Sequence, residues 1–350
     1  MVPNNKQIWV DYIRVVATFC VVFLHSASPL LYKYKELPEL YWMIGNIYNS
    51  SVRMCVPLFF MLSGHLLLEK DESLNTFFWK RVNKVVIPLL IWSLFYILWK
   101  AYYEGSSEIF FYSFYSVALS PAYFHLWFLY AIIGTYLFMP ILRVIAKQSE
   151  NALLHYYVML WFFAVSIIPL GEKITGFSSR IDLLTISGFS GYLVLGLLLG
   201  KITITKRIAI VAGILSLACV IVTVIGTQLL TVRNEGTFSG YFYGYLSPNV
   251  VVLSAATFLL IKYSVIKVRV LSSEWFLSII RSISSASLGI YLIHVVFRYL
   301  LMKGDLGFTL NGFQGHPIFS IPLTAVTIFF LSYVSIYILR QIPVLKKITP

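Results

Sequence analysis

The sequence predicts an all-α integral membrane protein of about ten transmembrane helices with both termini in the cytoplasm, and three observations carry that reading. Hydrophobic residues fill 59% of 350 positions and charged residues only 12%, with a mean hydropathy of +0.82, whereas soluble domains are about half apolar and a quarter charged. The apolar residues recur in blocks of about 20, long enough to cross a hydrocarbon core of about 30 Å as helices. They lack the alternation of barrel strands, and a helix pairs its own backbone groups where water is absent. Basic residues divide unevenly between alternate loops, which orients the chain.

The first block, Ile8 to Leu31, is too long for a signal-peptide core and carries Asp11 and Arg14, so it is read as a retained membrane helix. The others are Tyr41 to Leu68, Val85 to Tyr103, Leu126 to Ile145, Leu153 to Leu170, Leu184 to Gly200, Ile208 to Leu230, Tyr241 to Ile261, Trp275 to Met302 and Ile318 to Leu339. With the N-terminus inside, sixteen of the 27 Lys and Arg residues fall on inside segments and eight on outside ones, while Arg14, Arg53 and Arg281 lie within helices. That twofold excess sets both termini in the cytoplasm. The outside stretch Glu104 to Phe124 has no Lys or Arg and is rich in Tyr, Phe and Ser, as suits the membrane interface.

The net charge of +13 forms no contiguous basic arm, so it marks topology and contact with membrane lipids, and no nucleic-acid partner is expected. Cys20, Cys55 and Cys219 lie inside apolar segments without metal-type spacing, so neither a disulfide nor a metal site is expected. No repeat or soluble domain is evident, and residues 1–350 read as one membrane domain.

A charge inside a membrane helix costs at least a few kcal/mol on insertion scales, so each such residue pairs, faces water or acts. Asp11, Arg14 and His25 fall within a sector of about 60° on the first helix at 100° per residue. Arg14 and His25 stand about 16 Å apart along the axis, too far to touch, and mark two depths of one channel. A guanidinium near the cytoplasm suits a phosphate-bearing donor. A deep imidazole suits removal of a proton from an alcohol. The plainer alternative, of about equal weight, is that Asp11 and Arg14 merely pair and His25 bonds a neighbouring helix.

The second block holds Arg53 near its middle, then Pro57, which frees a carbonyl one turn earlier, and Ser63-Gly64, which permits close helix approach; a kink lining a cavity is expected. Lys80, Arg81 and Lys84 follow as a cluster suited to headgroups or to donor phosphates. His294 lies at the same depth on the ninth block as His25 on the first, and His125 opens the fourth near the outer face, so Arg53, His125 and His294 are candidate oxyanion or acceptor contacts. His65, His155 and His316 are expected to be bystanders.

At these residues the chain resembles the acyltransferase type 3 family of bacterial membrane O-acyltransferases. The matching features are Asp11-x-x-Arg14 with His25 eleven residues later, Val56-Pro57-Leu58-Phe59-Phe60-x-Leu62-Ser63-Gly64, Arg81-x-x-Lys84, His125-Leu126-Trp127-Phe128-Leu129, and Ser287-Leu288-Gly289-Ile290-Tyr291-Leu292-Ile293-His294. Within the family it is similar to short members without an appended extracellular esterase domain. The resemblance implies a multi-pass protein of the bacterial inner membrane that takes an acyl group from cytoplasmic acyl-CoA, commonly acetyl-CoA. The acceptor it implies is a hydroxyl on an envelope polysaccharide or a lipid-linked sugar precursor. It implies Arg14 and His25 as the essential pair, and Arg81 with Lys84 as the cytoplasmic element, where Lys84 keeps the charge of the family's second arginine but loses its planar fork. His65 also departs from the aromatic usual after Ser-Gly. The competing class is an exporter or flippase of a glycan or lipid-linked sugar, because intramembrane Arg and His also mark permeation paths.

Overall fold

A computed structural model describes residues 8–104, 117, 120–148, 150–175, 188–268, 273–346 and 348–349. Among these residues nine helical segments are long and apolar enough to cross a membrane. The expected sixth block, Leu184 to Gly200, is instead a short helix, Ser190–Lys201, and the block's first residues lie outside the described ones. At 12 residues it is about 18 Å long, less than the hydrocarbon thickness.

Helix α1 (Ile8–Leu31) matches its expected bounds and lies at the centre, packed on five other helices. Its apolar residues encircle the axis, and 61% of its most apolar stretch is buried. The expected second span is two helices, α2 (Glu39–Ser51) and α3 (Cys55–Leu67), broken at Val52, Arg53 and Met54. The break follows from Pro57 in the first turn of α3: it has no N–H for the carbonyl of Arg53, and its ring crowds that carbonyl. Arg53 therefore occupies the break itself and not mid-helix.

Helix α4 (Leu74–Arg81) runs through a π-turn (Val82–Val86) into α5 (Ile87–Glu104). After a 3₁₀ turn (Phe124–Leu126) comes α6 (Trp127–Gln148). Helix α7 (Asn151–Phe162) passes through a second π-turn (Phe163–Ile167) into α8 (Ile168–Thr175). Each π-turn ends two residues before a proline, Pro88 and Pro169. The wider i→i−5 bond, Ile87 N–H to Val82 C=O in the first and Ile168 N–H to Phe163 C=O in the second, keeps the chain helical while the proline ring clears the turn before it.

The remaining helices are α9 (Ser190–Lys201), α10 (Lys206–Arg233), α11 (Pro248–Lys267, after a 3₁₀ turn Tyr241–Tyr243), α12 (Glu274–Lys303), α13 (Pro317–Leu339) and the terminal turn α14 (Pro343–Lys346). Only 17% of the most apolar stretch of α10 is buried, which puts it at the periphery with its apolar surface towards lipid. By contrast α9 packs backbone to backbone against α3. A Cβ on Gly64 would lie 1.8 Å from the Leu193 carbonyl oxygen, and one on Gly196 2.0 Å from that of Met61, so both glycines are required by the crossing. Lys262 of α11 closes the C-terminal end of α9 by donating to the carbonyls of Leu199, Gly200 and Ile202 at 2.7–3.2 Å.

Candidate active site

The first half of α1 and the serine-rich start of α12 meet at Arg14. Its guanidinium donates to Ser284 Oγ at 2.9 Å and reaches Asp11 at 3.4 Å, and Ser284 donates to the same Asp11 oxygen at 2.6 Å. Asp11 and Arg14 do pair, as the plainer reading supposed, yet the pairing leaves Arg14 lining a cavity of about 480 Å³. Arg81 and Lys84 line the same cavity from α4 and the first π-turn, and Phe128, Leu129 and Tyr136 of α6 with Tyr291 of α12 complete it. Ser63 is also on this wall, 3.3 Å from the Tyr136 hydroxyl.

Two features of this mouth were missed from sequence. Glu72, in the turn between α3 and α4, has a side chain only 5% exposed and gathers Lys80 at 2.8 Å, Arg143 at 2.9 Å, Lys70 at 3.5 Å and Arg81 at 3.7 Å. Burial pushes its carboxyl up, but hydrogen bonds from Lys80 and Arg143 and the Lys70 charge outweigh that and bring its pKa down to about 2. Arg143, which the sequence reading had counted only among the inside charges, is buried on α6, bonds the Leu67 carbonyl at 2.9 Å and lies 4.3 Å over the Phe77 ring. Lys80, grouped with Arg81 and Lys84 in the sequence reading, is not on the cavity wall; its ammonium belongs to Glu72. Arg81 is held differently, 4.6 Å over Phe77 and 5.4 Å from Tyr136, with its Nε buried and bonded to nothing among the described residues.

The far half of α1 carries His25 into a second, smaller space of about 30 Å³, lined also by His125, Cys55, Trp127, Tyr245, Phe128 and Tyr291. Phe128 and Tyr291 line both spaces and form the partition between them. Three imidazoles gather here from distant parts of the chain: the His25 and His294 rings are 5.2 Å apart, and those of His125 and His294 5.3 Å. Aromatic hydroxyls lock the supporting turns. Tyr291 donates to the His125 carbonyl, and Tyr96 donates at 2.7 Å to the Leu292 carbonyl, which His125 Nε2 also contacts at 3.3 Å.

Arg53, placed by the break before α3, lies 4.1 Å over the Tyr243 ring and 5.6 Å from that of Tyr245, with its Nε buried and unbonded among the described residues. Arg298, counted from sequence among the outside charges although it falls within the ninth block, stands on α12 one turn beyond His294 on the same face, near Phe124. The i, i+4 spacing from His294 was the available signal. His65, read as a bystander, packs on Trp9 at 4.8 Å on the side of the bundle near Lys262.

A central helix with a cation-lined cavity of about 480 Å³ at one depth and clustered imidazoles at another defines a polytopic membrane protein with two polar spaces inside its helix bundle. The acyltransferase type 3 family profile, an acyltransferase domain, matches residues 7–340, and the chain belongs to that family: it is a membrane acyltransferase. No match was found among curated proteins or among solved structures.

Proposed function

We propose that this protein is an O-acyltransferase of the bacterial inner membrane, moving an acyl group, most simply acetyl, from cytoplasmic acyl-CoA to a hydroxyl of an envelope glycan or its lipid-linked precursor. The observation that carries the proposal is the convergence of Arg14, Arg81 and Lys84 on one cavity that shares a wall with the pocket of His25. The cavity fits an anionic donor: three cations face it, and the buried Nε of Arg81 has a hydrogen to give. Arg14, Arg81 and Lys84 hold the donor phosphates through charge-assisted bonds, and Lys80 adds charge at the mouth.

Beyond the partition, His25 accepts the proton of the sugar hydroxyl as its oxygen attacks the thioester carbon. Arg53 stabilises the oxyanion that forms, and the thiolate leaves with the proton that His25 returns. His125 and His294 wall the acceptor side. Ser63 faces the donor cavity beside Tyr136, away from the imidazoles, so direct transfer is favoured over an acyl-enzyme on Ser63. Among family members the proposal places the chain beside the enterobacterial common antigen O-acetyltransferase. Family membership favours transfer over glycan export. The test is mass spectrometry of envelope glycans from cells with and without the protein: one acyl increment that disappears with the gene names both donor and acceptor, and identical glycans together with no turnover of acetyl-CoA by the pure protein would overturn the reading.

A further inference from the structure

His294 has its two ring nitrogens in opposite situations. Nδ1 lies 2.6 Å from the carbonyl oxygen of Tyr291, one turn earlier on α12. A carbonyl can only accept, so Nδ1 carries the proton and Nε2 presents a bare lone pair. That Nε2 is buried, and no donor among the described residues reaches it. His294 is 1% exposed, so water does not supply one at the surface either. A buried acceptor without a donor loses its hydration and gains nothing in return, and such groups persist where they are used.

The neighbours restrict which donor that is. His25 on α1 is nearest in ring terms, its centre 5.2 Å from that of His294 with the planes 30° apart. Since an imidazole nitrogen lies about 1 Å from its ring centre, rings at that spacing come within roughly 3 Å, nitrogen to nitrogen, once their edges face each other. His125, from the turn before α6, is 5.3 Å away but spends its Nε2–H on the Leu292 carbonyl, leaving a bare Nδ1 that cannot donate. Arg298 lies on α12 itself, one turn beyond, and Arg53 approaches from the break between α2 and α3, held over Tyr243. No carboxylate of the described residues is recorded in an ion pair with either arginine. Both arginines also carry N–H groups, and none of them bonds Nε2; of the two neighbouring imidazoles, His25 is the one that has a hydrogen to offer to His294.

We propose that His294 is a positioning residue for His25: its Nε2 accepts a hydrogen bond from one ring N–H of His25, which leaves the other His25 nitrogen bare and turned to the acceptor hydroxyl. This deepens the acyl-transfer reading and rests on it. The arrangement is the base-and-orienter logic of a catalytic triad with a neutral imidazole where a carboxylate is usual. When His25 takes the hydroxyl proton, the bond to His294 strengthens, because the donor has become an imidazolium. No proton need pass to His294; His25 keeps it until the thiolate takes it back. The assignment also separates His294 from oxyanion stabilisation, since a nitrogen without a hydrogen cannot bind an anion.

The test uses the full-length protein in membrane vesicles from expressing cells, with radiolabelled acetyl-CoA as donor and endogenous glycan as acceptor. His294→Gln keeps an acceptor oxygen near the Nε2 position; His294→Leu keeps the bulk and removes it. The expected result is a fall in kcat of about 100-fold for His294→Leu with KM for acetyl-CoA unchanged, a changed pH–rate profile, and recovery to within about tenfold of wild type for His294→Gln. Wild-type kcat and pH profile in His294→Leu, or equal losses in both variants, would overturn it. His25→Ala run beside them separates the two levels: an active His25→Ala, or a wild type that transfers no label, counts against the acyl-transfer reading, while a dead His25→Ala beside an active His294→Leu counts against the positioning role alone.

Discussion

The arginine cavity and the histidine pocket stand on either side of Phe128 and Tyr291 and solve the problem of polar groups in a membrane in opposite ways. At the cavity and its mouth, most cations are compensated: Arg14 has Asp11 and Ser284, and at the mouth Glu72 gathers Lys70, Lys80, Arg81 and Arg143, while Arg81 Nε stays unbonded among the described residues. About 480 Å³ is open beside them. The pocket offers about 30 Å³, its charged neighbours rest on aromatic rings, and His125 Nδ1, His294 Nε2 and Arg53 Nε have no bonding partner among the described residues. Compensated charge suits a place that must receive and release a large anion repeatedly. Uncompensated polar atoms suit a place whose bonds are completed only while chemistry proceeds.

If this division is right, substitutions in the pocket act on turnover and those in the cavity act on donor affinity. The largest effect is expected for His25→Ala, a loss of acyl transfer of about 1,000-fold at unchanged protein level, measured as label moved from acetyl-CoA to glycan. Full activity in that variant would remove the base from the scheme. Next comes Arg81→Ala, which should raise KM for acetyl-CoA about 30-fold with kcat little changed, because a ring-held guanidinium with a free Nε–H is lost; a pure kcat defect would place Arg81 on the wrong side of the comparison.

Arg14→Lys should cost less, about tenfold in KM, since the charge stays while the geometry that serves both Ser284 and the donor goes. The smallest effect is on acid stability. The Glu72 carboxyl titrates at about 2 in the folded protein against 4.5 for the free group, so its contribution is full above about pH 4.5 and is lost as pH falls from there towards 2. Melting temperatures of wild type and Glu72→Gln should differ by about 2–4 °C near pH 6 and converge as pH falls towards about 2. A gap that persists at low pH would show that Glu72 acts through packing and not through charge.

Much of this was legible from local pattern. Helix α1 and the same-face placement of Asp11, Arg14 and His25 followed from apolar length and helical period, and the approach of His25 to His294 followed from equal depth on two helices of opposite chain position. What escaped depended on tertiary context. The break at Arg53 needed the carbonyl crowding by Pro57 to win over continuous helix propensity, and the sequence shows only that a kink is due. Both π-turns have the same hidden cause, a proline two residues downstream, which reads equally well as a loop boundary; Val85 was accordingly taken as a helix start although α4 leads straight into it. Glu72 lies among Lys70, Asp71 and Ser73, an ordinary polar turn until Arg143 arrives from α6. Arg298 fell inside the expected ninth block but was tallied with the outside charges, and only the neighbourhood of His294 and Phe124 shows where its side chain stands.

The partition formed by Phe128 and Tyr291 has a consequence for the cell as well as for the reaction. A bilayer insulates by thickness, whereas what separates these two spaces is a pair of side chains from α6 and α12, one of them tied by its hydroxyl to the His125 backbone. On the proposed acyl-transfer reading, this pair of rings is what an acyl group would have to pass and an ion must not. Trimming one of these rings, as in Phe128→Ala, would merge the two spaces, and an ion conductance in proteoliposomes of that variant and not of wild type would show that the rings also act as a seal.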